Sequence, residues 1–516
     1  MNTSALSAAS VLVALAGMSF GVHAQPARTP STSVTIYSAA EPGAVPPSTY
    51  RPTPNNPYAY HQQQAVPGFA IVRQDRPINL GAQVSEVRFT DVAALIDPTT
   101  VSFTCLTDPG TRVLEQNYQF DLVSPDKLLE NFIDREITVT VPRGDHTETI
   151  TGTLLSSSPG QFVLAANGGL EVINGYQGIT FPSLPEGFQT RPTLVWKIGT
   201  AKPGAHTARV SYETEGVTWW ADYNLIYHEG TNENAGFLDV GAWVSILNRS
   251  GGTYDNAQLK LVAGSVNRAP RQDQRWNSRR ELGMVVDEAV GGVGGFAEKS
   301  FFEYHLYTLG RSTTIPNNST KQIELFPAAQ KVPCDKVVVY DGLGQDVWFG
   351  GGPYTDANLG SQTRKDVDVY VRFRNTPQAG LGMPFPAGRI RISKVDEADG
   401  GVEFIGEDVI RHTPRNEEIL VKVGKAFDVV GERIATDFKV DHSKEMMEET
   451  IEITVRNRKQ QPVDVIVQER LVRWLQWEIV KSTHEFTKID ARRMHHTLRL
   501  APDEEKVIRY TVRYTW

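Results

Sequence analysis

RVSYETEGVTWWADYNLIYHEGTNENAGFLDVGAWVSILNRSGGTYDNAQLKLVAGSV, residues 209 to 266, decides the fold. Leu238, Val240, Ala242, Val244 and Ile246 recur at every second position. That period places one set of side chains on a single face of a strand. Tyr212 stands between Ser211 and Glu213 in the same rhythm, and Leu259, Leu261 and Ala263 resume it. Between these runs, Asn248-Arg-Ser-Gly-Gly252 tolerates turn dihedrals. Trp219, Trp220, Tyr223, Tyr227 and Trp243 supply bulk. Strands with one wet face hide the other against a second sheet, so the stretch predicts a β-sandwich.

Outward from it, the alternation continues. Val367, Val369, Val371 and Phe373 alternate with charged neighbours, and Ile390 and Ile392 do likewise. Ile451, Ile453 and Val455 lead to a turn at Asn457 to Pro462, after which Val463, Val465 and Val467 alternate back, the pattern of a hairpin. Ile508, Tyr510, Val512, Tyr514 and Trp516 share one face of the final strand. By analogy of pattern, the last unit is expected to be immunoglobulin-like. Upstream, short strand candidates fall at Val101–Leu106, Tyr118–Val123, Glu136–Val141, Glu148–Leu155, Phe162–Ala165 and Leu170–Ile173. Asn167-Gly168-Gly169 has tight hairpin chemistry. Val84, Val87, Val92 and Leu95 predict one short helix ending before Pro98, and Asp126–Phe132 a helical turn. The class is all-β: a multi-domain β-sandwich.

Several separated blocks also resemble a family. GVTWWADYNLIY from Gly216 and GAWVSILNRSGGTYDNAQLKLVAG from Gly241 are similar to the C-terminal domain of mucoidy-inhibitor-like bacterial envelope proteins, a domain-of-unknown-function family. FEYHLYTL from Phe302, FIGEDVIRHTPRNEEILVKVGKAFDVVGER from Phe404 and the closing RYTVRYTW fit in the same order. The resemblance covers about residues 195 to 516. It implies a place in the cell envelope and no chemistry transferable to particular residues. Those proteins carry a long coiled coil before this domain; no sustained heptad run is present here.

The chain of 516 residues suggests about three domains. Residues 1–24 read as a signal peptide, with Ala5 to Phe20 apolar, Val22-His23-Ala24 as the cleavage site and Gln25 as the new N-terminus. Residues 25–67 form a Pro-rich arm in which Val34–Tyr37 fits an isolated edge strand and Tyr50, Tyr58 and Tyr60 are exposed. Residues 68–191 are read as an N-terminal β domain and 192–516 as the C-terminal sandwich region, with an exposed, Arg-bearing loop at 267–300. The expected location is periplasmic or secreted, with no transmembrane helix in the mature chain, since no later run approaches about 18 apolar residues. A net charge of −8 argues against a nucleic-acid partner. Partners of the expected kind are an envelope protein or a polysaccharide.

Cys105 and Cys334 are either one disulfide closing a long loop or two buried thiols acting as small hydrophobes. The candidate ligand-binding residues are Asp341, Asp346, Trp348, Phe349 and Tyr354, in a Gly-rich stretch where aromatic rings stand beside carboxylates as on a carbohydrate platform. A packed hairpin tip is the alternative. His495-His496 is adjacent, so in a strand the two rings point to opposite faces, and His484-Glu485 lacks a second histidine. Asp396–Gly400 fits a turn better than a calcium loop. No G-x-S-x-G elbow, P-loop or C-x-x-C occurs, and no catalytic residue, metal or cofactor is implied. The expectation is an exported, non-catalytic envelope binding or scaffold protein. The alternatives are a polysaccharide-processing enzyme or carbohydrate-binding protein and, third, an outer-membrane barrel ending at Trp516.

Overall fold

The computed structural model describes residues 31–37, 43, 45–50, 66–119, 125–144, 146–158, 161–183, 185, 192–232, 234–264, 266, 268, 295–343, 352–360 and 363–516. In chain order the strands begin with β1 (Thr32–Tyr37), β2 (Phe69–Leu80), β3 (Gln83–Phe89), β4 (Ile96–Cys105) and β5 (Arg112–Gln119). An inserted group follows: β6 (Glu136–Arg143), β7 (His146–Ser158), β8 (Gln161–Ala166), β9 (Gly169–Asn174) and β10 (Gly178–Thr180). Next come β11 (Thr193–Thr200), β12 (Gly204–Glu215), β13 (Val217–Glu229), β14 (Ala235–Asn248), β15 (Tyr254–Ala263), β16 (Phe296–Phe301), β17 (Tyr304–Leu309) and β18 (Thr313–Ile315). The last series is β19 (Ser319–Asp341), β20 (Asp366–Arg374), β21 (Gly388–Val395), β22 (Val402–Ile410), β23 (Glu418–Asp441), β24 (Met446–Asn457), β25 (Val463–Arg470), β26 (Gln476–Ser482), β27 (Thr487–Lys488), β28 (Arg493–Leu500) and β29 (Glu505–Thr515). Two short α-helices, α1 (Pro47–Tyr50) and α2 (Pro125–Asn131), and one 3-10 turn complete the described elements.

Two sandwiches share one long sheet. Its strands run β22-β21-β13-β14-β19-β20-β23-β24-β29-β26, with β25, β28 and β27 branching from β19. The first core lies between the β13–β14 end of this sheet and a second sheet ordered β16-β17-β15-β1-β2-β12-β4. The second core gathers Tyr340, Ile451, Ile453, Val465, Val467, Leu498, Tyr510 and Val512 from β19, β24, β25, β28 and β29. A separate five-stranded sheet, β10-β6-β7-β8-β9, has its own apolar centre with Leu129 and Phe132 beside α2. A three-stranded sheet, β3-β11-β5, buries Trp196 against Phe89 and Phe103.

The period-two residues of β14 behave as their spacing demands. Leu238, Val240, Ala242, Val244 and Ile246 are all buried, while Trp243 between them faces out. The consecutive strands of residues 209–266 do not stay in one sheet. Gly216, at φ 77°, turns β12 out of the second sheet and β13 into the long one. A Cβ there would stand 2.9 Å from the Arg249 carbonyl, so glycine is required.

The turn at Asn248–Gly252 then carries the chain back, so β14 and β15 face each other instead of pairing. Buried Asn248 fixes this crossing: its Nδ2 donates to Gly252 O (2.8 Å), Ile315 O (3.2 Å) and Pro316 O (3.1 Å). Asn457 repeats the device at the expected hairpin of the last unit, donating to Gln461 O (2.8 Å) and Ala501 O (2.9 Å). There too no hairpin forms: β24 pairs with β23 and β29, whereas β25 pairs with β19 and β28. Asn375 closes β20 in the same manner, on Met383 O (2.8 Å) and Pro414 O (3.1 Å).

Other expectations change as well. Residues 83–89 are strand, not helix, because pairing with β11 overrides the i, i+3 spacing of Val84 and Val87. Phe89 of this strand is buried and Val84 exposed. Val34–Tyr37 lies in the interior of its sheet, parallel to β15 and antiparallel to β2, with Val34 and Ile36 fully buried. Tyr50 is half-buried, its ring 5.4 Å from that of Trp220. Strand pairing also crosses the boundary expected at 191, since β2 and β4 both flank β12. By contrast, Asn167 (φ 54°) and Gly168 (φ 78°) make the expected two-residue hairpin turn, and Asp396–Gly401 closes the β21–β22 hairpin.

β2 and β12 are locked by a fork. Arg209 Nε donates to Asp75 Oδ1 (2.6 Å) and Nη2 to Oδ2 (2.7 Å), with Asp75 directly opposite in register. The hydrogen bonds from Arg209 hold the buried Asp75 carboxyl below its usual range. A carboxyl depressed in the folded state stabilises fully above about pH 4, the ordinary aspartate value, and loses that contribution as pH falls through its lowered pKa. Arg209→Met is therefore expected to cost about 2 kcal/mol at pH 7. The gap from wild type should close progressively below about pH 4, as followed by urea denaturation across pH.

Candidate functional site

Asp341 ends β19 and spends its carboxylate on the neighbouring strand: Arg470 Nε lies 3.1 Å from Oδ2, and Gln468 Nε2 donates to the same oxygen at 3.2 Å. Its Oδ1 accepts the Leu343 amide at 3.2 Å. Tyr354 is held through its backbone. Its N–H donates to Arg473 O (2.9 Å), and its carbonyl accepts from Arg473 Nη1 (3.1 Å). Asp346, Trp348 and Phe349 lie outside the described residues. The described part of the expected platform is thus held by two arginines, Arg470 on Asp341 and Arg473 on Tyr354.

Arg473 is 1% exposed and uses all five of its N–H donors. Nε and Nη2 grip Glu449 bidentately at 2.9 Å each. The remaining donors reach Tyr354 O, Asp356 O (2.8 Å) and Leu359 O (3.3 Å). Phe438 lies against the guanidinium, 4.1 Å from centroid to Cζ. Deeper in the same sandwich, Arg433 donates to Glu469 at 3.0 Å and Tyr510 O–H donates to the same carboxylate. Burial raises the Glu469 carboxyl, while Arg433 and Tyr510 pull it back down.

A concave site lies where the two sandwiches meet. It is a cleft of about 780 Å³ bounded by the β13–β14 turn on one side and β19, β25 and β28 on the other. Gly230 and Asn232 shape the turn. A Cβ on Gly230 would come 2.4 Å from Ala235 O, and Asn232 Oδ1 accepts the amides of Asn234 (3.1 Å) and Ala235 (2.8 Å). Asn234 bridges the sandwiches: Nδ2 donates to Asp464 Oδ2 (2.6 Å), which also takes Arg499 Nη1 (2.9 Å), and Asn234 O accepts the Lys336 amide (2.6 Å). Glu229 is paired with Lys394 at 2.6 Å, which holds its carboxyl below the usual range. Asp335 is paired with Arg372 at 3.0 Å. Burial pushes the Tyr227 phenol up to about 12.

The cleft had no signature in the sequence. Its walls come from residues 227–235, 335–336, 461–464 and 499, brought together only by the branching of β19. The two adjacent histidines meet different surroundings, as their opposite faces on the strand demand, but neither is a plain surface residue: His495 is half-buried beside Gln468 Oε1 (3.2 Å), and His496 is buried with Nδ1 on Glu485 O (2.9 Å). Burial lowers both imidazoles. Among the described residues no cluster of three or more His, Cys, Asp or Glu has the arrangement of a metal site. Nor is any described helix long and apolar enough to cross a membrane.

Cys105 and Cys334 are both free and buried, so the structure holds two thiols and not a bridge. The reason is placement. Cys105 ends β4 opposite Ala208 in the second sheet, while Cys334 sits in β19 between Gly236 and Phe373 in the long sheet. No protein-family profile, curated protein or solved structure matches this chain.

Proposed function

We propose that this chain is an exported, non-catalytic binding or scaffold protein of the bacterial cell envelope that engages its partner through the cleft between the sandwiches. One observation carries the reading. Each carboxylate on the cleft wall is held by a cation: Glu229 by Lys394, Asp335 by Arg372 and Asp464 by Arg499. These pairings occupy the carboxylates within the wall, and the amides of Asn232, Asn234 and Gln461 beside them are suited to hydrogen-bonding a polar chain. The leader at residues 1–24 and the resemblance to mucoidy-inhibitor-like proteins support export and an envelope setting. An envelope polysaccharide and an envelope protein are the two kinds of partner this surface suits.

Three measurements test the proposal. The processed chain is expected in the soluble periplasmic fraction without detergent; a requirement for detergent would favour a barrel. Retention on immobilised envelope polysaccharide is expected to weaken several-fold in Gln461→Ala, which loses about one hydrogen bond to the ligand, with little change in melting temperature. Turnover of a glycan or peptide that disappears on replacing a single cleft carboxylate would overturn the non-catalytic reading.

A further inference from the structure

At the end of β4, three side chains from two distant segments converge. Cys105 Sγ lies 3.6 Å from His206 Nδ1 and 3.4 Å from Thr107 Oγ1. Thr107 Oγ1 is 2.9 Å from the same Nδ1. The other ring nitrogen, Nε2, is 2.7 Å from the Lys202 carbonyl. A carbonyl only accepts, so Nε2 carries the proton and Nδ1 presents its lone pair to the hydroxyl and the thiol. The orienting carbonyl is itself fixed, because Thr200 Oγ1 donates to it at 3.2 Å and Lys202 Nζ is tied to Asp108 at 3.3 Å. Nucleophile, base within reach and a third group that sets the tautomer together form the arrangement that activates a thiol.

We infer that Cys105, Thr107 and His206 form a thiol–imidazole site that exchanges with small disulfides. The reaction is balanced without any further reagent. The Cys105 proton passes through the Thr107 hydroxyl to His206 Nδ1. The sulfur attacks one sulfur of the disulfide, the Sγ–S bond forms as the S–S bond breaks, and the departing thiolate takes the proton back from the imidazolium. Cys105 is oxidised to a mixed disulfide, the small disulfide is reduced, and one free thiol is released. The site lies at the surface margin: Cys105 is 5% and His206 8% exposed, and Thr107 above them is exposed.

Cys334 serves as the internal control. It sits within β19 against the first core, and burial pushes its thiol up to about 12. Both cysteines are 5% exposed, so solvent access does not separate them, and the His206 variants separate the effect of the imidazole from that of burial at Cys334.

Native full-length protein is treated with 5,5′-dithiobis(2-nitrobenzoate) or oxidised glutathione at pH 7, and adducts are mapped by peptide mass spectrometry. The expected result is one equivalent taken up on Cys105 at least about tenfold faster than on Cys334. His206→Gln should slow Cys105 by a similar factor without changing Cys334, and added imidazole should restore part of the rate to His206→Ala. Equal rates at the two cysteines in the wild type, or labelling of Cys334 first, overturns the inference with no variant needed. So does an unchanged Cys105 rate in a folded His206→Gln protein.

Discussion

Replacing Arg473 with Met is expected to cost about 3–5 kcal/mol of stability and to loosen residues 352–360 from the second sandwich. The side chain it removes is buried and fully subscribed. Glu449, itself buried, would lose both of its 2.9 Å partners and remain as an uncompensated carboxylate. The carbonyls of Tyr354, Asp356 and Leu359 would lose their donors at the same time. Methionine replaces the aliphatic stem, so the loss is chiefly electrostatic and not a cavity. Urea denaturation measures the first effect. Hydrogen exchange of peptides covering 352–360 measures the second. Adding Glu449→Met to Arg473→Met should recover part of the stability, because the stranded charge is gone. A loss below about 1 kcal/mol in the single variant would mean that the ion pair is not buried as described.

Which features of this fold were readable in advance follows from their range. β14 and β29 were legible because alternation is a property of adjacent residues, and burial of Val240, Val244, Tyr510 and Val512 follows directly from it. The turns at Asn167-Gly168 and Asp396–Gly400 are equally local, set by dihedrals and by Asp396 and Asp399 bonding nearby amides. Partner choice is not local. Asn248–Gly252 and Asn457–Pro462 have the composition of hairpin turns, yet both carry the chain across a sandwich. What decides this is Asn248 reaching Ile315 and Pro316, and Asn457 reaching Ala501, contacts no window of neighbouring residues contains. β1 is the extreme case: a six-residue strand in a proline-rich arm becomes interior because Ser33–Tyr37 pair with Gln258–Val262. The site follows the same logic. Asp341 and Tyr354 drew attention by composition and are held by Arg470 and Arg473, whereas the cleft around Asn234 and Asp464 and the Cys105–His206 pair are made entirely by the fold.

Trp219→Ala is expected to cost about 3–5 kcal/mol, while Trp243→Ala should cost under about 1 kcal/mol. Both tryptophans sit on the paired strands β13 and β14, in the stretch from which the sandwich was read. Trp219 is 1% exposed, opposite Ile246, and its ring meets that of Tyr307 from the other sheet at 6.2 Å. Removing it opens a void in the first core that neighbours from two sheets can only partly refill. Trp243 is 40% exposed and stands opposite Asp222 on the outer face. Trp220, adjacent to Trp219, points the other way, donating from Nε1 to Asp222 Oδ2 at 2.8 Å, and its substitution should fall between the two. Chemical denaturation of the three single variants gives the order directly. A slip of one residue in β13 would exchange its inner and outer faces, so that Trp220 became the costly position and Trp219 the tolerant one. The ranking Trp219, Trp220, Trp243 therefore tests the register on which both sandwiches and the cleft between them depend.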